Sequence, residues 1–314
     1  MAEGLGLDDV LVHALTTIGS AKESLGDVTG RHDLERAVEF GRSVNSTLVA
    51  GAMNNLGVIL DTTDVRRVKE IYHEALHEAE RAGDARLLRF LRGNLIPPAW
   101  ILGDWDEALA IADVFIAECE QGSPHILEGP SRNIRGYIRL ARGSVNEAME
   151  DFDRGLELIR QADDPQDIVP ALVRNAWARL QLGRPSDARA AFAEALPLLL
   201  RHPSVKPWTL AEVAFDLGEN SAVRDALATL PPSPGYRAML AVLDGDFERA
   251  AEEYAAANIL LFEAEARLRA AELLLAAGRS AEGEAQLEKA LAFYRSVGAT
   301  LFIDRGEALL AKTA

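Results

Sequence analysis

Hydrophobic positions along this chain recur at the 3.6-residue period of amphipathic helices, and turn signals cut the pattern into pieces of hairpin length. Over Val65–Ala82 the apolar residues Val68, Ile71, Tyr72, Ala75, Leu76 and Ala79 follow i, i+3, i+4, i+7 spacing and predict one core-facing stripe. No segment carries a strand pattern. One six-residue turn keeps returning: Gly103-Asp104-Trp105-Asp106-Glu107-Ala108, then Gly143–Ala148 and Gly183–Ala188, then weaker forms at Gly245–Ala250 and Gly278–Gly283. A small residue five places after the turn glycine lets two antiparallel helices approach closely, and a carboxylate in the first turn of the second helix complements its positive end.

The pattern predicts helices over about 7–19 and 31–43, with Gly26 and Gly30 in the loop between them, and a second hairpin of 46–60 and 65–82 turning at Asp61-Thr62-Thr63-Asp64. Three hairpins with evenly spaced glycines follow at about 84–121, 125–162 and 165–200. Then Pro203, Pro207, Pro231, Pro232 and Pro234 remove donors and restrict the residues before them, leaving a shortened repeat between 207 and 230. Hairpins at 236–257 and 258–297 restore the period, and 301–311 reads as a helix covering the open end. A single hairpin cannot bury its apolar face, so such units stack in series. The expected fold is all-α: one α-solenoid of helix-turn-helix repeats over 1–314, a right-handed superhelix of about seven hairpins plus a C-terminal capping helix, bent at 201–235.

Composition agrees. Hydrophobic residues are 48% and aromatics only 6%, so the apolar content is mainly Ala and Leu, as in tightly packed helices. A net charge of −16 with no basic tail repels a phosphate backbone and argues against direct nucleic-acid binding. The single Cys119 excludes an internal disulfide framework, and the start Met1-Ala2-Glu3-Gly4 lacks signal-peptide character, so a cytoplasmic protein is expected. No stretch approaches the roughly 20 uninterrupted apolar residues that span a bilayer, so no membrane partner is expected.

The turn residues resemble those of tetratricopeptide repeats, in which a glycine, an acidic residue, an aromatic, two polar residues and an alanine form the helix–helix junction; Gly103 to Ala108 matches every place. Phe152, Phe192 and Tyr254 match the aromatic expected nine residues after the glycine, and Asn54-Asn55-Leu56-Gly57 is similar to the centre of a first repeat helix. Three features depart from the family: the repeats are longer than usual, Phe115 stands where a small residue is expected, and the 61–64 turn has no glycine. The Ser123-Pro124-His125 opening and the Tyr294-Arg295-Ser296-Val297-Gly298-Ala299 ending resemble the C-terminal repeat regions of bacterial regulators that join class III cyclases or LuxR-type output domains to a signal-transduction ATPase. That resemblance implies repeats that bind a protein or small inducer. The chain contains no Gly-x-x-x-x-Gly-Lys-Ser/Thr loop, so it is read as a detached repeat region or a free-standing relative.

Two sets of residues carry candidate chemistry. His73-Glu74-Ala75-Leu76-His77 satisfies H-E-x-x-H, which on a helix would set two imidazoles one turn apart for zinc; no third ligand follows, and Ala75 and Leu76 fall on the core stripe, so it reads as a repeat helix with polar positions. Arg132, Arg135, Arg139 and Arg142 recur at steps of three and four and form one stripe, with Ile134, Tyr137, Ile138 and Ala141 on the other side. Arg86, Arg89 and Arg92 repeat the row one hairpin earlier, and Arg174 and Arg179 one hairpin later. First helices line the concave face of repeat solenoids, so the rows are candidates for a basic groove that holds carboxylates or phosphates through planar guanidinium forks. The alternative is a charged face paired with neighbouring Glu and Asp.

Asn54, Asn94, Asn133, Asn175, Tyr137, Trp100 and Trp177 interleave with these rows; the asparagines could hold an extended backbone, and the aromatics read first as hairpin interior and second as site. Pro97-Pro98 is expected either to kink an inner helix or to start one. The expected function is a non-catalytic binding and sensor module of a bacterial signalling or transcriptional regulator, with no cofactor and no metal, and with a protein or acidic peptide held by Asn54, Arg89, Arg92, Asn94, Arg132, Asn133, Arg135, Tyr137, Arg139, Arg174, Asn175 and Trp177. An anionic small-molecule inducer on the concave face, a self-assembling hub and a zinc hydrolase are the other readings.

Overall fold

A computed structural model describes residues 7–162, 164–202 and 208–313; the interrupting Pro203 and Pro207 lie outside these residues. The described residues are all-α, built from hairpins of consecutive helices, and fall into two compact units that meet in sequence at Pro98 and Ala99. Seventeen helices are present among the described residues.

The first unit holds α1 (Asp8–Ser24), α2 (Gly30–Ser43), α3 (Val49–Leu60), α4 (Val65–Ala82) and most of α5 (Ala85–Leu102). Each helix packs on the next through α4, and α1 also meets α3. The glycine-free turn is replaced by a side-chain cap: Asp64 accepts a hydrogen bond from the Arg67 amide at 3.2 Å and satisfies a donor that the helix start leaves open. On α4 the expected core residues are buried, except that Leu76 is only half-buried. Helices α1 and α2 cross so closely that a Cβ on Gly30 would lie 2.3 Å from the Gly19 carbonyl oxygen. Backbone cannot turn away as a side chain can, so Gly30→Ala should force the helices apart and cost about 2–3 kcal/mol. Gly51→Ala, with nothing within 4 Å of the added Cβ, should instead be neutral or stabilising by up to ~1 kcal/mol. Denaturant midpoints of the two variants check the contrast.

Pro97 and Pro98 sit twelve and thirteen residues into α5, so they do not start a helix. The division into units follows directly after them.

The second unit continues through α6 (Trp105–Glu120), α7 (Glu128–Ala141), α8 (Val145–Ala162), α9 (Pro165–Gln181), α10 (Pro185–Arg201), α11 (Leu210–Leu217), α12 (Asn220–Leu227), α13 (Pro234–Leu243), α14 (Phe247–Ala256), α15 (Leu260–Ala276), α16 (Ser280–Val297) and α17 (Thr300–Thr313). All five motif glycines adopt the left-handed conformation, with φ between 68° and 88°. At the first of them the Asp104 amide donates back to the Ala99 carbonyl at 2.9 Å, closing the helix end. The alanines five places on, Ala108, Ala148, Ala188 and Ala250, are buried where the paired helices meet.

This unit also closes on itself. Helix α17 packs against α7 and α15, Arg142 donates from Nε to the Val297 carbonyl at 3.0 Å, and Phe293 lies against Gly103. The inner faces of α7 and α9 are therefore covered within the unit rather than left as an open groove.

Candidate functional site

The arginine stripe of α7 is held in a carboxylate network. Asp151 of α8, whose side chain is 2% exposed, accepts from Arg135 through Nε at 2.8 Å and Nη2 at 2.6 Å, and from Arg139 at 2.8 Å. Arg135 also reaches Asp113 at 2.7 Å, and Arg132 bonds Glu128 at 2.9 Å and Glu120 at 2.6 Å. Burial alone would lower the Arg135 pKa; Asp151 and Asp113 outweigh it and hold it above its ordinary value. Arg132 is raised in the same way by Glu120 and Glu128, against the same burial effect. Of the two expected arrangements, a basic groove or pairing with neighbouring acids, the geometry of Arg132, Arg135 and Arg139 is the paired one, and it is largely buried rather than solvated. An incoming anion would have to displace carboxylates already in place, at several kcal/mol for a buried pair, on the order of 3–5 kcal/mol.

Tyr137 and Trp177 are both in the interior, stacked at 3.9 Å, with Trp100 edge-on to Tyr137 at 4.9 Å. Phe262 of α15 meets Trp100 at 5.6 Å, and Phe302 of α17 lies 6.3 Å from Trp177 and stacks on Tyr294 at 4.6 Å. Arg174 lies over the Trp100 ring at 5.4 Å, its pKa pushed down to about 10 by burial that Asp167 only partly offsets. The buried Asn133 and Asn175 donate to carbonyls of their own helices, Gly129 and Ala171, both at 3.0 Å. They brace backbone here.

Two carboxylates that the motif reading passed over are also buried. Glu212 and Glu265 are 4% and 1% exposed. Their signal was present in sequence: Glu212 is the lone acid of the run Leu210-Ala211-Glu212-Val213-Ala214, and Glu265 is the second of two acids in Leu261-Phe262-Glu263-Ala264-Glu265-Ala266, set between two alanines.

In the first unit Asn94 donates to Asn54 at 2.9 Å, Asn54 to Asn55 at 3.2 Å, and Asn55 to Ser20 at 3.1 Å, an amide ladder across α5, α3 and α1. Arg86 and Arg92 are exposed and Arg89 is half-buried. The H-E-x-x-H segment is also accounted for: Arg42 at 2.6 Å and Arg67 at 3.0 Å hold the two oxygens of Glu74, while His77 is exposed and 3.9 Å from Glu80. Among the described residues no group of three metal-ligating side chains converges. No helix among them is long and apolar enough to cross a membrane.

An open surface is also present. Helices α8 and α10 flank a crevice of about 840 Å³ with α9 as its floor. Its rim carries Asp153, Glu157, Arg160, Arg184, Asp187 and Glu194, and its floor Leu172, Asn175 and Arg179. Arg160 spans the crevice to both oxygens of Glu194 at 2.9 and 2.7 Å, with about half of each side chain exposed. Arg179 donates to Asn175 Oδ1 at 2.7 Å and lies 3.6 Å from Asp153. Exposed pairs of this kind contribute only about 0–1 kcal/mol. A partner bringing its own charges can replace them at little cost, which is untrue of the Asp151 network.

No family model matches the chain, and no curated protein matches it. Among solved structures it is similar to a Rap protein crystallised in complex with competence and sporulation factor: 12% identity, a TM-score of 0.50, and full coverage of both chains. At that identity the likeness is one of fold, a helical-repeat fold.

Proposed function

We propose that this chain is a non-catalytic binding module that captures an extended protein segment of mixed charge within bacterial cytoplasmic signalling. The observation that carries the reading is the α8–α10 crevice, whose volume falls in the range of roughly 300–1,000 Å³ common to ligand sites and whose rim pairs are exchangeable. A Rap protein with this kind of fold is complexed with competence and sporulation factor, so a scaffold of this architecture does take a partner. The setting expected from the regulator resemblance, a sensor or partner-binding region, agrees with both. Recognition is placed on Arg160, Arg179 and Arg184 with Glu157 and Glu194, rather than on Arg132, Arg135 and Arg139, because the second set is already neutralised by buried acids.

The test is capture from a host lysate by the wild-type chain beside a variant carrying Arg160→Glu, Arg179→Glu and Arg184→Glu, with circular dichroism showing equal helicity. A partner held by the wild type and lost by the variant supports the reading. Equal capture by both, or none by either, removes the crevice as the recognition surface.

A further inference from the structure

We propose that α1 pairs two copies of this chain, antiparallel about a two-fold axis beside Thr16, through an apolar stripe on its outer face. Val12, Leu15 and Gly19 bury the inner face of the helix, which packs on α2 and α3. On the opposite side Leu7, Leu11, Ala14, Ile18, Ala21 and Leu25 follow one another at alternating steps of four and three, the spacing of a coiled-coil seam. Ile18 is 48% exposed and Leu25 87%; Leu7, Ala21 and the adjacent Val10 are exposed too, while Leu11 and Ala14 are half-buried. A helix face that meets water is ordinarily polar, and a helix that is apolar on opposite faces is one covered on both. A continuous exposed stripe marks an interaction surface in a way that a single exposed leucine does not.

The stripe itself specifies the occupant. A two-fold dimer joins the same patch from both copies, so a helix lying across the axis meets its counterpart antiparallel. With the axis beside Thr16, Leu11 faces Ala21 of the second copy, Ala14 faces Ile18, and Leu7 faces Leu25. Large meets small at every central contact, which keeps the helices at one separation and fills the seam. In a parallel pair each residue would meet its own counterpart, and the Ala14 and Ala21 layers would be left as gaps between those of Leu11 and Ile18. Charge favours the same direction. The exposed Asp8 stands in the first turn and Lys22 in the last, on one edge of the stripe and two heptads apart. Antiparallel pairing sets Asp8 beside Lys22 of the second copy and opposes the ends of the two helix dipoles. Lys22 holds Asp33 of its own chain at 2.6 Å and keeps 38% of its side chain exposed, which leaves room for a second carboxylate. The net charge of −16 falls outside the stripe, since none of its residues is ionisable. A membrane surface is disfavoured by the same count of charges: helices that lie on lipid carry Lys and Arg along their polar side, and α1 carries one Lys against Asp8, Asp9 and Glu23.

The experiment is sedimentation equilibrium of the full chain over a concentration series. The expected result is a mass that rises with concentration from 34.0 kDa toward twice that value. Ile18→Glu brings a carboxylate into the seam from each copy and should raise the dissociation constant by about a hundredfold or more. Because Ile18 lies on the outer face, circular dichroism of that variant should show unchanged helicity. Ala14→Ile sets large against large at two layers and should weaken the antiparallel dimer by about tenfold or more, whereas it would fill a gap in a parallel one. Adding Ile18→Ala to Ala14→Ile returns small to large and should restore pairing. A chain that stays at 34.0 kDa at every concentration up to about 0.3 mM would overturn the proposal, as would a dimer that is unchanged by Ile18→Glu or tightened by Ala14→Ile. Flotation of a monomeric chain with anionic phospholipid vesicles would give the stripe to a lipid surface and overturn the second copy. None of these results bears on the crevice, which lies in the second unit and is tested by its own variants.

Discussion

Asp151→Ala should destabilise the second unit by about 3–5 kcal/mol, the largest effect expected of any single polar substitution in this protein. The aspartate is 2% exposed and receives two bonds from Arg135 and one from Arg139, with Arg132 at 3.6 Å. Removing it leaves those guanidinium groups facing a site with no countercharge, and Asp113 and Glu120, both more than half exposed, compensate only in part. Asp151→Asn keeps the shape and loses the charge, so it should fall most of the way toward the alanine variant. Removing an exposed pair of the same chemistry, Glu194→Ala opposite Arg160, should cost no more than about 1 kcal/mol. Denaturant unfolding of the three variants decides the matter; equal losses at positions 151 and 194 would show that the network is not buried in solution.

Glu265→Gln should raise stability at pH 8 by about 3 kcal/mol and flatten the dependence of stability on pH. Burial pushes Glu265 from an ordinary 4.5 up to about 7; Arg269 and Arg305 pull it down, while Asp216 and Glu272 push it further up. Below about 4.5 the group is protonated in both folded and unfolded chains and has no effect on their balance. Between 4.5 and 7 the folded chain keeps a proton that the unfolded chain releases, so raising the pH destabilises the fold, and above 7 the cost is complete. At about 1.4 kcal/mol per pH unit the interval amounts to about 3 kcal/mol. Glu212 is raised in the same sense, by burial and by Glu265, and steepens the slope. Thermal midpoints between pH 5 and 8 for wild type and Glu265→Gln provide the check: a wild-type midpoint that climbs with pH across this window would refute the assignment.

The hairpins were legible because their signals are local. Gly103, Gly143 and Gly183 mark turns through φ values that other residues adopt reluctantly, and the alanines five places on mark contacts between helices adjacent in sequence. Asp64 shows the same locality: a capping side chain replaced a missing glycine with no change in the hairpin. The candidate site was less legible. The step of three and four residues identified the stripe of Arg132, Arg135 and Arg139, but the acids that neutralise it come from α6 and α8 as well as α7, and their approach follows from how three helices pack. Tyr137 and Trp177 show the same limit: helical spacing sets them on the inner side, and the return of α17 onto α7 decides that this side is interior.

By itself, then, the order of residues determined the all-α class, the hairpin register and the turn positions, since each depends on spacing within about one hairpin. Only the tertiary structure decided which arginines are neutralised, that Glu212 and Glu265 are buried, and that α8 and α10 leave a crevice open over α9. Apart from Arg132 with Glu128 on one helix, those outcomes join residues 12 to 34 positions apart, as in Arg132 with Glu120 and Arg160 with Glu194, and the closure of the unit joins Arg142 to Val297 across 155. A periodic pattern specifies which face of a helix is apolar, and long-range packing chooses what that face meets.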